Sequence, residues 1–205
     1  GIDKYLIKPI DIEELFDVFA SDFDSVLADL NYDSPNIIAQ YLREYFNKKK
    51  REKLSFLDLG CGSGLCGKQL KKIFKKSTFI GVDISSQMLE KAKEKNVYNK
   101  LVKSDISGCF LCDNVLFDVV VAADVFTYFG NLDSIFKKVD SLLCKKGIFV
   151  FTVSENNLNK KDFFLMPSSR FVHSINYVEN ILKKHNFFVI KNECKILRKE
   201  GDNGI

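Results

Sequence analysis

The stretch LDLGCGSGLCG, residues 57–67, sets a carboxylate and several glycines directly after an apolar run. Gly60, Gly62 and Gly64 predict a sharp turn that a ligand can approach closely, because a glycine has no Cβ to collide with it. Asp58 places a negative charge at the start of this turn. A carboxylate near a pyrophosphate costs about 1 to 4 kcal/mol per close pair, whereas a cation in the same place is attracted. The pattern therefore favours a cationic ligand.

Two ligands satisfy parts of this pattern. Gly62, Gly64 and Gly67 match the G-x-G-x-x-G fingerprint of dinucleotide-binding proteins, with Asp83 at about the expected distance for a ribose hydroxyl. S-adenosylmethionine carries an ammonium and a sulfonium but no phosphate, so Asp58 would attract it, and its carboxylate could meet the following helix N-terminus. We therefore favour S-adenosylmethionine. An NAD-dependent oxidoreductase and a non-catalytic S-adenosylmethionine-binding module remain the alternatives.

Further carboxylates follow the next two predicted strands. Asp83 ends one strand and Asp105 follows another, which places both at the edge of a parallel sheet where ligands bind. Asp83 suits a ribose diol, and Asp105 with Ile106 suits the edge of an adenine ring. Ile84 and Met88 can cover the other face of that ring. Taken singly, each carboxylate is equally well explained as a turn cap or a solvated strand end.

Apolar runs and amphipathic segments alternate from Leu54 onward, which predicts an α/β fold. The expected architecture is a doubly wound, mostly parallel, Rossmann-like sheet with an N-terminal helical cap. We predict one domain over residues 1–205, with the cap at 1–50 and the cofactor-binding core at 51–205. The predicted strands cover residues 54–59, 78–83, 100–105, 117–122 and 147–153.

The ends of the chain carry weaker patterns. Apolar spacing predicts two short helices separated near Ser21 and Asp22, then a helix with Ser34 as its N-cap. The stretch from 154 to 174 is predicted to be irregular. A helix should follow and end in a left-handed cap at Asn186. Residues 187–200 are predicted to form one long strand or a hairpin.

Four stretches, FLDLGCGSG, FIGVDISSQMLEKAK, VKSDI and FDVVVAADVFTYFGNLDSIFKKVDSLLCKKGIFVFTV, resemble the class I S-adenosylmethionine-dependent methyltransferases. The resemblance is closest to a subgroup in which some members are attached to tetratricopeptide repeats. It implies that the methionine moiety is held by Asp58, Gly60, Gly62 and Gly64, the ribose by Asp83, and the adenine by Asp105 and Ile106. It also implies that Ala123 and Asp124 lie near the donor. The sheet of the family normally ends in a further, antiparallel-paired strand after a hairpin, whereas this sequence stops at GDNGI, so the topology of its C-terminal part is left open.

Methyl transfer from a sulfonium already contains a good leaving group, so alignment and exclusion of water can supply much of the acceleration. An obligatory base is not required. If one is used, the candidates are Asp124, Tyr128 and His173. Each also has a plain structural interpretation: Asp124 as a donor contact, Tyr128 as a pocket wall and His173 as a helix cap.

Composition narrows the class of acceptor. The chain has 205 residues, 46% of them hydrophobic, and a net charge of +4. Its only dense basic run, residues 48–51, is typical of a solvated helix end, and AADVFTYF lacks the Pro-Pro loop of amino-directed methyltransferases. The phenylalanine-rich cap favours a small or lipophilic acceptor, so nucleic acid is the less favoured substrate.

The sequence also predicts a compartment. We find no apolar stretch of membrane-spanning length, and we expect a cytoplasmic protein with reduced thiols. Cys109 and Cys112 have metal-ligand spacing, but without a second pair we predict no metal site. The oligomeric state is left open.

Overall fold

A computed structural model of the chain describes residues 9–49, 51, 53–108, 115–157, 161–200 and 203–204. The helices are α1 (Pro9–Phe19), α2 (Phe23–Asp29), α3 (Ser34–Asn47), α4 (Leu65–Ile73), α5 (Ser86–Glu94), α6 (Asp133–Leu142) and α7 (Ile175–Lys184). The strands are β1 (Ser55–Leu59), β2 (Thr78–Asp83), β3 (Lys100–Lys103), β4 (Phe117–Ala122), β5 (Leu143–Phe151), β6 (Phe163–Leu165), β7 (Phe171–His173), β8 (Lys199–Glu200) and β9 (Asn203–Gly204).

The main sheet has the strand order β3-β2-β1-β4-β5, and all of its described pairings are parallel. The chain runs outward from β1 on one side and resumes at β4 on the other. The switch point, where ligands bind in such sheets, therefore lies at the carboxyl ends of β1 and β4. This arrangement confirms the predicted α/β fold.

Two apolar clusters, one on each face, hold helices against the sheet. On one face, Ile135, Phe136 and Val178 of α6 and α7 pack with strand residues such as Val120. On the other, Ile38 and Leu42 of α3 and Leu70 of α4 pack with Phe56. Alternate side chains of β1 and β4 enter opposite clusters, because successive residues of a strand point to opposite faces.

The N-terminal helices match the predicted pattern, with α1 ending at Phe19 and α2 beginning at Phe23. The predicted N-cap of α3 was wrong by one residue. The backbone carbonyl of Asp33 accepts from the N–H groups of Asn36 and Ile37, so the first turn closes on Asp33. Ser34 is already helical and fully buried.

The C-terminal part differs more from the prediction. Strands β6 and β7 form an antiparallel hairpin inside the stretch expected to be irregular. Helix α7 is capped by Ser174, whose hydroxyl accepts from the N–H of Tyr177, and Asn186 then takes the predicted left-handed conformation, with φ 60°.

Residues 187–198 form no strand, which contradicts the predicted strand or hairpin over this stretch. Polar side chains of the segment bind other elements instead. Glu193 accepts from the hydroxyl of Tyr41 on α3, and Arg198 pairs with Asp124 after β4. Three consecutive apolar residues, Phe188 to Ile190, lack the alternation of a half-buried strand and are exposed.

In the described part of the chain, no helix is both long and apolar enough to cross a membrane. Cys109 and Cys112, whose spacing was weighed for a metal, lie outside the described residues.

Candidate functional site

The glycine turn after β1 adopts the backbone conformation that its residues predict. Gly60, Gly62 and Gly64 have φ values of 63°, 52° and 89°, in the left-handed region that side chains disfavour. A Cβ added at Gly60 would lie 2.5 Å from Cγ2 of Val125. The turn therefore packs directly against the residues that follow β4, across the switch point.

Asp58 lies beneath this turn and is 1% exposed. The hydroxyl of Tyr98 donates to its Oδ2 over 2.7 Å, and its Oδ1 has no hydrogen-bond partner among the described residues. Burial raises the pKa of Asp58 to about 7, and the charge of Asp83 adds to the rise. The hydrogen bond from Tyr98 and the nearby backbone N–H of Gly67 oppose it, although this N–H makes no hydrogen bond of normal geometry with Oδ1. The protein thus buries a carboxylate with one oxygen still unsatisfied.

Asp83, at the end of β2, joins two backbone segments. Its Oδ2 accepts from the N–H of Gly62 over 2.7 Å, and its Oδ1 accepts from the N–H of Ser85 over 2.9 Å. Burial raises the pKa of this carboxyl. Ionised carboxylates accept about four hydrogen bonds, so Asp83 retains capacity for a ligand hydroxyl.

The predicted adenine residues occupy positions near the ends of β2 and β3. Asp105 is partly buried and caps its own turn, accepting from the N–H of Ser107 over 2.9 Å and from its hydroxyl over 2.6 Å. Ile106 and Met88 are buried, and Ile84 is partly buried. Asp105 therefore caps its own turn, which is one of the two interpretations that the sequence allowed.

The segment after β4 brings Ala123 and Asp124 to the switch point. Asp124 has φ 58°, and its N–H donates to the hydroxyl of Thr152 over 2.8 Å. Its carboxylate forms an ion pair with Arg198, whose side chain is 3% exposed. Sequence reasoning missed Arg198, because 74 residues separate the partners and no local pattern links them.

The N-terminal helices α1 and α2 lie over the glycine turn. A Cβ at Gly62 would lie 3.7 Å from the ring of Phe23. The ring of Phe16 meets that of Tyr128 edge-on, with 5.4 Å between centroids. The cap and Tyr128 therefore form an aromatic wall above the turn, and the role of Tyr128 toward an acceptor stays a prediction. We call α1 and α2 together the lid.

Carboxylates of the lid bind the rim beneath it. Asp17 accepts from the hydroxyl of Ser85 over 2.5 Å and from the N–H of Gln87 over 3.1 Å, at the start of α5. These hydrogen bonds, the one from Ser85 foremost, lower the pKa of Asp17. Asp24 accepts from the hydroxyl of Ser63 in the glycine turn and pairs with Lys95 at 2.7 Å.

His173 is buried at the end of β7, with 1% exposure. Its Nε2 lies 2.9 Å from the carbonyl oxygen of Phe129 and 3.1 Å from that of Gly130. Carbonyls only accept, so Nε2 carries the proton, while the buried Nδ1 has no partner among the described residues. Burial lowers the pKa of this imidazole. His173 holds the loop after Tyr128, and the helix-cap role belongs to Ser174.

The site fits a cationic methyl donor. The ammonium of S-adenosylmethionine would give the buried Oδ1 of Asp58 the partner it lacks, and the positive-φ turn leaves backbone surface for close approach. Gly67, the third glycine of the dinucleotide pattern, borders Tyr98: a Cβ there would lie 2.4 Å from the phenol oxygen. Its presence is explained without a pyrophosphate.

Comparisons with known proteins agree with this geometry. A malonyl-[acyl-carrier protein] O-methyltransferase from Priestia megaterium is 27% identical over 157 residues, covering 76% of this chain and 53% of the relative. A ribosomal RNA small subunit methyltransferase C from Actinobacillus pleuropneumoniae is 26% identical over 161 residues, covering 77% and 45%. The chain thus spans about half the length of these curated relatives.

A solved structure shares the fold. Magnesium protoporphyrin IX methyltransferase from Synechocystis, crystallised with bound S-adenosylhomocysteine (SAH), superposes with a TM-score of 0.70 at 15% identity, covering 93% of this chain and 95% of that one. The model of the methyltransferase domain family matches residues 50–194, more than two thirds of the sequence. The chain therefore belongs to the methyltransferase domain family, among the class I S-adenosylmethionine-dependent methyltransferases.

Proposed function

We propose that this chain transfers the methyl group of S-adenosylmethionine to a small or lipophilic acceptor. The observation that carries the proposal is the buried carboxylate of Asp58, with its unsatisfied Oδ1, under a glycine turn at the switch point of the sheet. A cation stabilises such a group, whereas a diphosphate would repel it. Membership of the methyltransferase domain family supports the same ligand.

The donor contacts that we propose follow the order of the strands. The methionine moiety lies against Asp58, Gly60, Gly62 and Gly64, and the ribose against Asp83. The adenine lies against Ile84, Met88, Asp105 and Ile106, and the methyl group near Ala123 and Asp124. Asp105 keeps its turn cap in this arrangement, since an ionised carboxylate can accept further bonds.

When bound, S-adenosylmethionine supplies an activated methyl group on a sulfonium that is its own leaving group. The chain's task is then to align the acceptor and exclude water, which can contribute about 7 to 11 kcal/mol. We assign exclusion of water to the lid, whose rings of Phe16 and Phe23 form the aromatic wall together with Tyr128 from the segment after β4.

An acceptor that must lose a proton would need a base at the mouth of the site. We propose Asp124 as the first candidate, because its carboxylate is partly exposed and follows β4 at the switch point. Tyr128 lines the same mouth. His173 is too deeply buried to meet an acceptor in this conformation, so we assign it the positioning of the loop at 129–130.

A small or lipophilic acceptor is supported by the lid itself. Beside the aromatic wall, α1 exposes the side chains of Leu15, Val18 and Phe19. Two of the similar proteins are named for malonyl-[acyl-carrier protein] and magnesium protoporphyrin IX. The relative named for ribosomal RNA makes nucleic acid a second candidate. The finer resemblance to a subgroup with attached tetratricopeptide repeats, the cytoplasmic location and the single-domain boundaries stay predictions.

The first test is calorimetric titration of the chain with SAH and, in parallel, with NAD. We expect SAH to bind and NAD to bind far more weakly. Tighter binding of NAD would establish the oxidoreductase alternative. Release of SAH from S-adenosylmethionine with carboxylic acids, thioesters and ribosomal RNA as acceptors then separates the acceptor classes. Binding of the donor without turnover on any of them would favour the non-catalytic module.

The second test is Asp83→Ala, which removes the acceptor we propose for the ribose together with two backbone contacts, one to Gly62 in the turn and one to Ser85 before α5. We expect SAH affinity to fall by about 1 to 3 kcal/mol, which is typical of a lost polar partner. Asp118→Ala is the matched control, since Asp118 binds Ser55 at the opposite end of the sheet. The control should lower stability without changing SAH affinity. An unchanged affinity in Asp83→Ala would contradict the proposed rim.

A further inference from the structure

Tyr98, between α5 and β3, was not among the predicted site residues, yet it touches the carboxylate on which the donor site depends. Its hydroxyl donates to Oδ2 of Asp58 over 2.7 Å. The bond crosses 40 residues and joins a loop to the central strand β1. The other oxygen of Asp58, Oδ1, is buried and has no hydrogen-bond partner among the described residues.

Three glycines from three elements make room for the ring of Tyr98. A Cβ at Gly67 on α4 would lie 2.4 Å from the phenol oxygen. A Cβ at Gly64 in the turn, or at Gly81 on β2, would lie 3.1 Å from a ring carbon. Because a side chain at any of these three positions would collide with the ring or crowd it, the ring lies close against three backbone segments, and its position is restricted.

Among the described titratable side chains around Asp58, Tyr98 is the one that stabilises its negative charge. Asp83 on β2 repels its negative charge. Burial raises the pKa of the thiols of Cys61 and Cys66 well above the usual range, so both are neutral at physiological pH. The phenol of Tyr98 is likewise neutral and donates its proton to the carboxylate. Its hydrogen bond stabilises the charged form against burial.

We propose that Tyr98 is a positioning residue of the donor site. Its hydroxyl binds Oδ2 of Asp58 and favours the ionised carboxylate, so that Asp58 presents a negative charge to the ammonium of the donor. This inference rests on the proposed function, because it takes S-adenosylmethionine as the ligand.

Tyr98→Phe tests the proposal, since it keeps the ring and removes only the hydroxyl. SAH affinity is measured by calorimetry from pH 6 to 8.5 in both proteins. Without the hydrogen bond, Asp58 should ionise about one pH unit higher. We expect the pH midpoint of SAH binding to rise by about one unit, with affinity about fivefold weaker at pH 7 and nearly unchanged at pH 8.5.

Tyr45→Phe is the matched control, because Tyr45 and Tyr98 pack against the same apolar cluster. It should bind SAH like the original chain at every pH. If Tyr98→Phe weakens binding equally at all pH values, or not at all, Tyr98 is merely structural and the inference is overturned. If the unaltered chain binds no SAH at any pH, the proposed function fails, and this inference with it.

A measurement on the unaltered chain covers the case in which Tyr98→Phe does not fold. SAH is titrated at pH 7 in two buffers with different enthalpies of ionisation. Because burial holds the pKa of Asp58 at about 7, binding of the ammonium should release about half a proton per SAH. Release of no proton would overturn the coupling between Asp58 and the donor.

Discussion

Asp58 shows at the scale of one residue how burying a carboxylate at the proposed donor site lowers the stability of the ligand-free chain. Its pKa is raised from 3.8 to about 7, chiefly by burial, so the folded chain binds this proton more tightly than the unfolded chain does. The protonated carboxyl contributes stability that is fully present at low pH. This contribution to the free energy of unfolding is lost as the pH rises from about 4 to about 7. A bound cation would recover the lost free energy, which makes donor binding and folding stability linked quantities.

We predict that Asp58→Asn stabilises the ligand-free chain above pH 7, by at most about 4 kcal/mol, and changes little near pH 4. The amide removes the buried charge while keeping an oxygen for Tyr98. Thermal unfolding across this pH range, with and without SAH, measures both effects: the stability rises, and the upward shift caused by SAH disappears.

Asp118→Asn should behave in the opposite way and serves as the control. Hydrogen bonds from Ser55 and Arg51 outweigh burial and lower the pKa of Asp118, so its contribution is present at neutral pH and lost in acid. Removing that charge should destabilise the chain at pH 7. An Asp58→Asn variant that is less stable than the original chain at pH 8 would contradict the raised pKa of Asp58.

At the scale of elements, the lid is joined to the core by aromatic packing and by a few charged contacts at the rim. One of these contacts joins Asp17 of α1 to the start of α5, where a carboxylate also interacts favourably with the helix N-terminus. Aromatic contacts such as Phe16 with Tyr128 remain when the charged contacts are removed. The rim contacts should therefore govern opening of the lid more than folding of the chain.

We predict that Asp17→Ala speeds dissociation of SAH about 3- to 10-fold, consistent with the loss of a capping carboxylate, while the melting temperature changes little. Stopped-flow displacement of SAH gives the rate. Glu14→Ala, at an exposed position of the same helix, should leave the rate unchanged. Equal dissociation rates in Asp17→Ala and the original chain would show that the lid does not retain the donor.

At the scale of the whole molecule, the segment 187–198 ties the C-terminal region to the switch point. The carbonyl of Leu197 accepts from the N–H of Asp33 over 2.9 Å, and Arg198 pairs with Asp124. The ammonium of Lys191 lies 4.1 Å from the ring centroid of Tyr41 on α3. The segment therefore forms no strand pairs of its own and is held by contacts with residues far away in the sequence.

We predict that Arg198→Ala lowers the free energy of unfolding by about 3 kcal/mol, because it withdraws a buried cation from Asp124. Chemical denaturation measures the loss. The double variant Arg198→Ala with Asp124→Asn should recover a large part of it, since no charge is then left at the pair, and Asp124→Asn alone is measured to complete the cycle. A loss in the double variant equal to the sum of the single losses would contradict a direct pairing.

The sequence by itself determined the alternation of strands and helices, the glycine turn and the carboxylates at the strand ends. These features depend on local periodicity, on backbone freedom and on the shared direction of parallel strands, all of which a sequence displays. The place of Asp83 at the edge of the sheet where parallel strands end followed from that logic, and the structure adds its hydrogen bond from the N–H of Gly62.

Only the tertiary structure decided the partners of those residues. Tyr98 reaches Asp58 across 40 residues, and Arg198 reaches Asp124 across 74, through contacts that no periodic pattern encodes. The course of residues 187–198 was decided in the same way. Hydrophobic periodicity reports which face of an element is buried, but the polar group that a distant side chain meets depends on how the elements pack.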